Sequence, residues 1–270
     1  MKHLREPEPV RGRAITLGDG IRRIVAPNAG RMTYHGTNTY LVAWGDGTVI
    51  VDPGPDDPAH VEAVVRGCDG TAAAILVTHG HHDHVGAAPA LAAATGAAVH
   101  MFQPDTASGR AIVLRPGEIA FGMEVIHTPG HAADHLCFGH PGGVLFSGDH
   151  VMGWSSSTVS PPSGEMGDYL DSLRRLLARP DRLYLPGHGP PIRDPQTWVA
   201  DLLYRRLAKE AAIVRELAAG PQPIAQMRQA LYGTPDAVIA SAAERTLTAH
   251  LLKLEREGTV QRLGNLWAIT

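Results

Sequence analysis

The sequence predicts an α/β body followed by a smaller, mainly helical unit, and three observations carry that expectation. Short apolar runs rich in Val, Ile and Leu recur through the first two thirds of the chain, each bounded by Gly, Pro or Asp. Stretches with helical spacing lie between several of them, the alternation expected of helices packed on a sheet. After "GHGPPIRDPQTW" the texture changes to long helical patterns that close on two short strands.

The elements follow in order. "TNTYLVAWGDGTVIVDPG" (37–54) reads as two strands joined by a Gly-Asp-Gly turn, a strong hairpin signal. A helix is expected around "DPAHVEAVVRG", then a buried strand "AAAILVT", an Ala-rich helix around 85–95 and a strand "AAVHMF" after Gly96, which together form a β-α-β pattern. Further strands are expected at 123–128, 135–140, 143–147 and 182–186, with a helix near 168–179 between the last two. Asp194 and Pro195 make an N-cap and N1 pair, and the helical pattern then runs to Gly220-Pro221. Two more helices follow, then "TVQRL" and "LWAIT" around Gly264-Asn265, the order of a winged-helix unit. The expected division is a body at 1–194 and a winged-helix-like domain at 195–270.

Composition narrows the class. With 270 residues, 44% hydrophobic and 19% charged, the chain can bury a substantial core and shows no disordered tract. Its formal charge of −3 argues against a surface devoted to polyanions, because such affinity comes from Lys and Arg on phosphates. The N-terminal stretch "MKHLREPEPVRGRAI" lacks the apolar core of a secretory signal, and no run of about 18 apolar residues is present, so a cytoplasmic protein without a membrane span is expected. Cys68 and Cys137 form neither a metal-type pair nor a disulfide framework, and both are expected as free thiols.

One stretch needs a chemical reason. "ILVTHGHHDHVGA" (75–87) places His79, His81, Asp83 and His84 in the order H-x-H-x-D-H directly after a buried strand. In such a turn His79 and His81 can point toward one centre while Asp83 and His84 swing toward a second, so two adjacent metal ions are expected. "TPGHAADH" offers His131, "FSGDH" offers Asp149 and "YLPGHGP" offers His188. Each follows an apolar strand and a glycine, which lets the backbone turn sharply and bring the side chain close to an ion. His135 is a candidate to orient a ligand through a hydrogen bond. His60, His100 and His250 read as surface or packing residues.

These motifs resemble those of the metallo-β-lactamase fold superfamily, over about residues 20 to 195. The resemblance implies an αββα sandwich, with one metal held by His79, His81 and His131, a second by Asp83, His84 and His188, and Asp149 bridging both. It also implies that Asp52, in "VDPG", supports the ligand loop; a simple turn residue before Pro53 is the alternative. "TNTYLV", "FSGDHVMG", "YLDSLRRLL" and "AHLLKLEREG" are similar to the β-lactamase-like branch that has a C-terminal winged helix and includes a mitochondrial endoribonuclease. The Ser/Pro-rich segment "VMGWSSSTVSPPSGEMGDY" departs from that branch. As a loop leaving a ligand strand, it is expected to border the substrate pocket, with Trp154 in it.

A dinuclear-metal-dependent hydrolase is therefore expected, its nucleophile a hydroxide shared between the ions. His-rich ligation with carboxylates suits zinc best, with iron or manganese as alternatives. Asp83 or Asp149 is expected to carry the proton for the leaving group. Phosphodiester hydrolysis, such as that of single-stranded RNA, is the leading expectation, as the resemblance to the endoribonuclease branch implies; the alternatives are thioester hydrolysis of the hydroxyacylglutathione hydrolase kind, β-lactamase activity, against which Asp149 counts, and a non-catalytic nucleic-acid-binding protein. Flavo-diiron relatives are disfavoured, because they place a glutamate where His81 stands. From position 200 onward nine Lys or Arg face seven Asp or Glu, too small an excess for a phosphate-tracking surface. The tail is expected to shape or cover the metal cleft, with homodimer formation as a further role open to it.

Overall fold

The computed structural model describes residues 2–103, 111–234 and 236–270. Its elements run β1 (Ile15–Gly18), β2 (Ile21–Val25), β3 (Asn38–Trp44), β4 (Gly47–Val51), α1 (Pro58–Gly67), β5 (Thr71–Leu76), α2 (His82–Val85), α3 (Ala88–Thr95) and β6 (Val99–Met101). Then come β7 (Ala111–Val113), β8 (Ile119–Ala120), β9 (Met123–His127), β10 (Leu136–His140), β11 (Val144–Gly148), α4 (Met166–Leu177) and β12 (Leu183–Pro186). The chain closes with α5 (Pro195–Leu217), β13 (Gln222–Pro223), α6 (Ile224–Tyr232), α7 (Ala237–Arg256), β14 (Val260–Leu263) and β15 (Leu266–Ile269). Residue contacts group them into two units, one of 1–128, 134–156 and 180–195, the other of 129–133, 157–179 and 196–270.

The first unit holds two sheets, a seven-stranded one in the order β1 to β7 and a five-stranded one in the order β12-β11-β10-β9-β8. Side chains alternate across a strand, and both faces of the central strands are apolar. Tyr40, Val42, Val49, Val51, Ala74 and Leu76 meet Phe138, Val144, Phe146 and Leu185 of the other sheet. Their neighbours in the chain, Leu41, Ile50 and Ile75, pack with Val64, Val85 and Leu91 of the helices. Each fully buried side chain of this size contributes about 1.5–3 kcal/mol, so the strand ends are anchored on a stiff platform. Asp57 caps α1 by accepting from the His60 backbone N–H, ahead of Pro58.

Two differences from expectation concern this unit. The Ala-rich helix expected around 85–95 is broken into α2 and α3, because Ala87 donates its N–H to the Gly54 carbonyl at 2.9 Å and a Cβ on Gly86 would lie 2.8 Å from the Asp56 nitrogen. The backbone is pressed too closely on the 54–56 loop for the helix to continue. Strands β1, β2, β7 and β8 were not expected; the first two flank "LGDG", where Arg22 and Arg23 interrupt the apolar pattern.

In the second unit β13, β15 and β14 form a small antiparallel sheet, with Leu263 opposite Leu266 across the turn at Gly264-Asn265. Ile213, Leu217, Met227, Leu247, Leu251, Leu254, Val260 and Trp267 fill the core that α5, α6 and α7 enclose with it. Among the described residues no helix is long and apolar enough to cross a membrane.

Candidate metal centre

Strands β4 and β5 run parallel, so Asp52, just past the end of β4, lies beside Val77 and Thr78, just past the end of β5. The Asp52 carboxylate is buried and accepts from the Thr78 N–H at 2.8 Å and the Thr78 hydroxyl at 2.9 Å. Its backbone is left-handed, at φ +52°, a conformation that a non-glycine residue keeps only when its surroundings fix it. The same carboxylate oxygen lies 2.9 Å from His84 Nδ1, which donates to it. With its own proton committed to Asp52, the Thr78 hydroxyl accepts from His79 Nδ1 at 3.0 Å. Both rings thus carry their proton on Nδ1 and their lone pair on Nε2, the tautomer a metal requires. Asp52 supports the ligand turn; it is more than a turn residue before Pro53.

The single turn α2 then displays Asp83 and His84, while the Gly80 N–H is pinned by the Asp134 carboxylate at 2.8 Å. On the other sheet, β11 and β12 are also parallel and bring Asp149 and His188 to the same end. Two glycines make the approach feasible. A Cβ on Gly187 would lie 2.6 Å from Asp149 Oδ1 and 2.6 Å from His84 Cε1; Gly148 has φ +47°, and a Cβ there would meet His135 Nε2 at 2.5 Å. His135 accepts the Asp149 N–H at 3.2 Å and bonds Thr128 through Nδ1 at 2.8 Å, so it fixes the backbone of Asp149 as the sequence suggested.

Six of the seven expected ligands come together in this unit. His79 Nε2 lies 2.9 Å from His81 Nδ1. Asp149 Oδ1 is 3.4 Å from both His84 Nε2 and His188 Nε2, and Asp83 Oδ2 is 3.2 Å from His188 Nε2. The donor atoms of His79, His84 and Asp149, and those of Asp83, His84 and His188, each fall within 4.8 Å of one another. His131 belongs to the second unit, where it is buried and its Nδ1 donates to the Thr158 carbonyl at 2.6 Å, which leaves the lone pair on Nε2.

A metal fits this donor set. His84 Nε2 is buried without a hydrogen-bond partner, a costly state for a ring nitrogen unless another electron acceptor takes its lone pair. Burial alone would drive the groups neutral, yet the charges here oppose it. The Asp149 carboxyl is pushed up by burial but held well below its ordinary value by His188 and His84. Burial likewise raises Asp83, and His84 and His188 outweigh it to hold the group at about 2. Desolvation lowers His188, but Asp149 and Asp83 lift it to about 9. The set holds carboxylates ionised and attracts cations; protons occupy that role when no metal does.

Reading the sequence alone missed Thr78, Asp134 and the groups that hold the His188 loop. Only Thr78, adjacent to the motif, carried a signal there. Trp154, expected at the pocket, is half-buried and stacks at a tilt on Tyr34, ring centres 5.2 Å apart.

The chain matches the model of the metallo-beta-lactamase superfamily over residues 32–122 and 116–188, and that of the beta-lactamase associated winged helix domain over 224–267. It is 29% identical to a beta-lactamase-like protein 2 homolog of Drosophila melanogaster over 91% of each chain. An atrochrysone carboxyl ACP thioesterase of Aspergillus chevalieri is 32% identical over 86% of this chain and 80% of that one. The crystal structure of a beta-lactamase domain protein from Burkholderia ambifaria superposes with a TM-score of 0.86 at 24% identity, covering 97% of this chain and 95% of the other.

Proposed function

Because the chain belongs to the metallo-beta-lactamase superfamily, we propose that this hydrolase works through two metal ions, one on His79, His81 and His131, the other on Asp83, His84 and His188, with Asp149 between them. The observation that carries this reading is the buried, unpartnered His84 Nε2 facing Asp149 and Asp83. Zinc is the proposed metal, from the preponderance of imidazole donors. When bound, such a pair supplies a water of lowered pKa and a clamp on the oxygens of the reacting group.

The chain's own residues do the rest. Asp52, directly and through Thr78, keeps the Nδ1 protons of His84 and His79 in place and so aims both Nε2 atoms inward. His135 fixes the backbone of Asp149. Asp83 is the more accessible carboxylate, its side chain 31% exposed against 10% for Asp149, so it is the ionised group placed to take a proton from the attacking water and pass it to the departing group.

The bond proposed is a thioester, on the strength of the similarity to a carrier-protein thioesterase. A panel on zinc-, manganese- and iron-reconstituted protein tests it, with an acyl-S-pantetheine, S-lactoylglutathione, a labelled single-stranded RNA, a phosphodiester chromogen and a chromogenic cephalosporin as substrates. The expected result is thioester cleavage that disappears on chelation, with about two metal ions per chain by elemental analysis. Faster cleavage of RNA or cephalosporin would replace the thioester reading, and a metal content near zero after reconstitution would remove the dinuclear one.

A further inference from the structure

The loop that carries His188 is held by side chains far away in sequence. Asn38 Nδ2 donates to the carbonyls of Pro186 at 2.8 Å and Gly189 at 2.9 Å, and the Tyr40 hydroxyl donates to Pro186 O at 2.7 Å. Arg23 Nη1, from β2, adds a bond to Gly189 O at 3.3 Å. Arg23 is only 4% exposed, and a buried guanidinium needs a counter-charge. Glu6 provides it with both oxygens, at 3.1 Å to Nη1 and 2.9 Å to Nη2.

Glu6 is itself fixed. Its N–H donates to the Tyr34 hydroxyl at 3.1 Å, and its carbonyl accepts from that hydroxyl at 3.3 Å and from His35 Nε2 at 3.2 Å. His35 adjoins Gly36, whose carbonyl accepts from His188 Nδ1 at 3.4 Å. Two residues earlier, the Leu4 N–H donates to Gly153 O at 2.8 Å, and a Cβ on Gly153 would meet the Leu4 side chain at 2.7 Å. Next along, the Trp154 ring stands where a Cβ on Gly189 would come within 2.5 Å. Residues 4–6 therefore touch the loop after Asp149, the segment that bonds His188, and, through Arg23, the loop that bears His188.

We propose that residues 4–6 and Arg23 form a clasp that positions His188 and the loop after Asp149, and thereby sets the affinity of the second metal position. Arg23 and Glu6 are positioning residues that act through the Gly189 carbonyl, where a displaced backbone would carry the imidazole with it. The clasp rests on the dinuclear reading above.

The test is a zinc titration of the full-length, metal-free protein against a chromophoric chelator, together with its melting temperature. The parent chain takes up two equivalents. Arg23→Gln weakens the second by about 10-fold, the low end of the effect of losing a direct hydrogen-bond partner of a ligand because Arg23 acts one bond further out, and leaves the first unchanged. Arg23→Lys falls between, since an ammonium cannot serve two carboxylate oxygens and a carbonyl in one plane. In the double variant Glu6→Gln, Arg23→Gln no charge is left buried and unpaired, so the melting temperature recovers while the second equivalent stays weak. Recovery of tight second-site binding along with melting would show a plain fold-stabilising ion pair and overturn the clasp, as would equal weakening of both equivalents by Arg23→Gln. A parent chain that binds fewer than two equivalents would instead overturn the dinuclear reading, with no variant involved.

Discussion

What separates one histidine from another here is the fate of its second nitrogen. His79 and His84 give their Nδ1 protons toward Asp52, which sets the tautomer that a metal ligand requires. His60 and His250 are as deeply buried, yet they pack. Burial drives the His250 ring down to about 4, although Glu210 accepts from it and pulls the other way; His60, next to Thr39, is also driven by burial to about 4. Both rings take up protons more readily in the unfolded chain, so their contribution to stability is complete above about pH 6.5 and is lost as the pH falls from there toward 4. At about 1.4 kcal/mol per pH unit the loss approaches roughly 3 kcal/mol for each ring. Urea denaturation of the metal-free protein between pH 7 and 4.5 is expected to show this decline, and His250→Gln to flatten it. An unchanged slope in the variant would assign the acid sensitivity elsewhere. Spacing was enough to single out His79, His81, Asp83 and His84, whose side chains the structure gathers at one strand end, from the other histidines, because a motif on a strand end is local. Thr78 and Asp134 went unread because a hydroxyl or carboxylate that orients a ligand has no spacing of its own.

Glycines decide how the elements meet. Gly187 sits where any side-chain carbon would strike Asp149 and His84, groups that are already fixed by their own partners. Gly187→Ala should therefore leave secondary structure unchanged by circular dichroism while costing about 1–3 kcal/mol of overpacking, read as metal loss under a mild chelator. Full metal retention would mean that the two loops can part without harm. At this scale the sequence was readable where an element is made by its own residues, as in the 38–51 hairpin and α1 with its Asp57 cap. It was misread where distant contacts intervene. The break between α2 and α3 is imposed by the 54–56 loop, and β2 is disguised by Arg23, a cation that lies in a buried strand only because Glu6, outside any strand, neutralises it.

For the whole molecule, the contact grouping bears on where the chain can be divided. The sequence suggested a cut at 194/195, but residues 157–179 group with the tail. Within that unit Arg206 lies over the Tyr169 ring at 5.2 Å and bonds the Ser157 carbonyl, and Gln196 bonds the Arg179 carbonyl at 2.7 Å. A chain ending at Asp194 loses those partners. At about 1–3 kcal/mol for each unsatisfied group and about 2–4 °C per kcal/mol at this size, it is expected to melt more than about 5 °C below the full chain by calorimetry. Equal melting temperatures would show that α4 stands without them. The metal centre draws on the ends of β4, β5, β11 and β12, two parallel pairs in separate sheets. Parallel pairs close only after long connections have formed, which makes them slow and late in folding. During synthesis the H-x-H-x-D-H turn leaves the ribosome well before the strand end that supplies His188, and it carries only two of the donors proposed for each ion. On the dinuclear reading, each position is complete only once those late parallel pairs have closed.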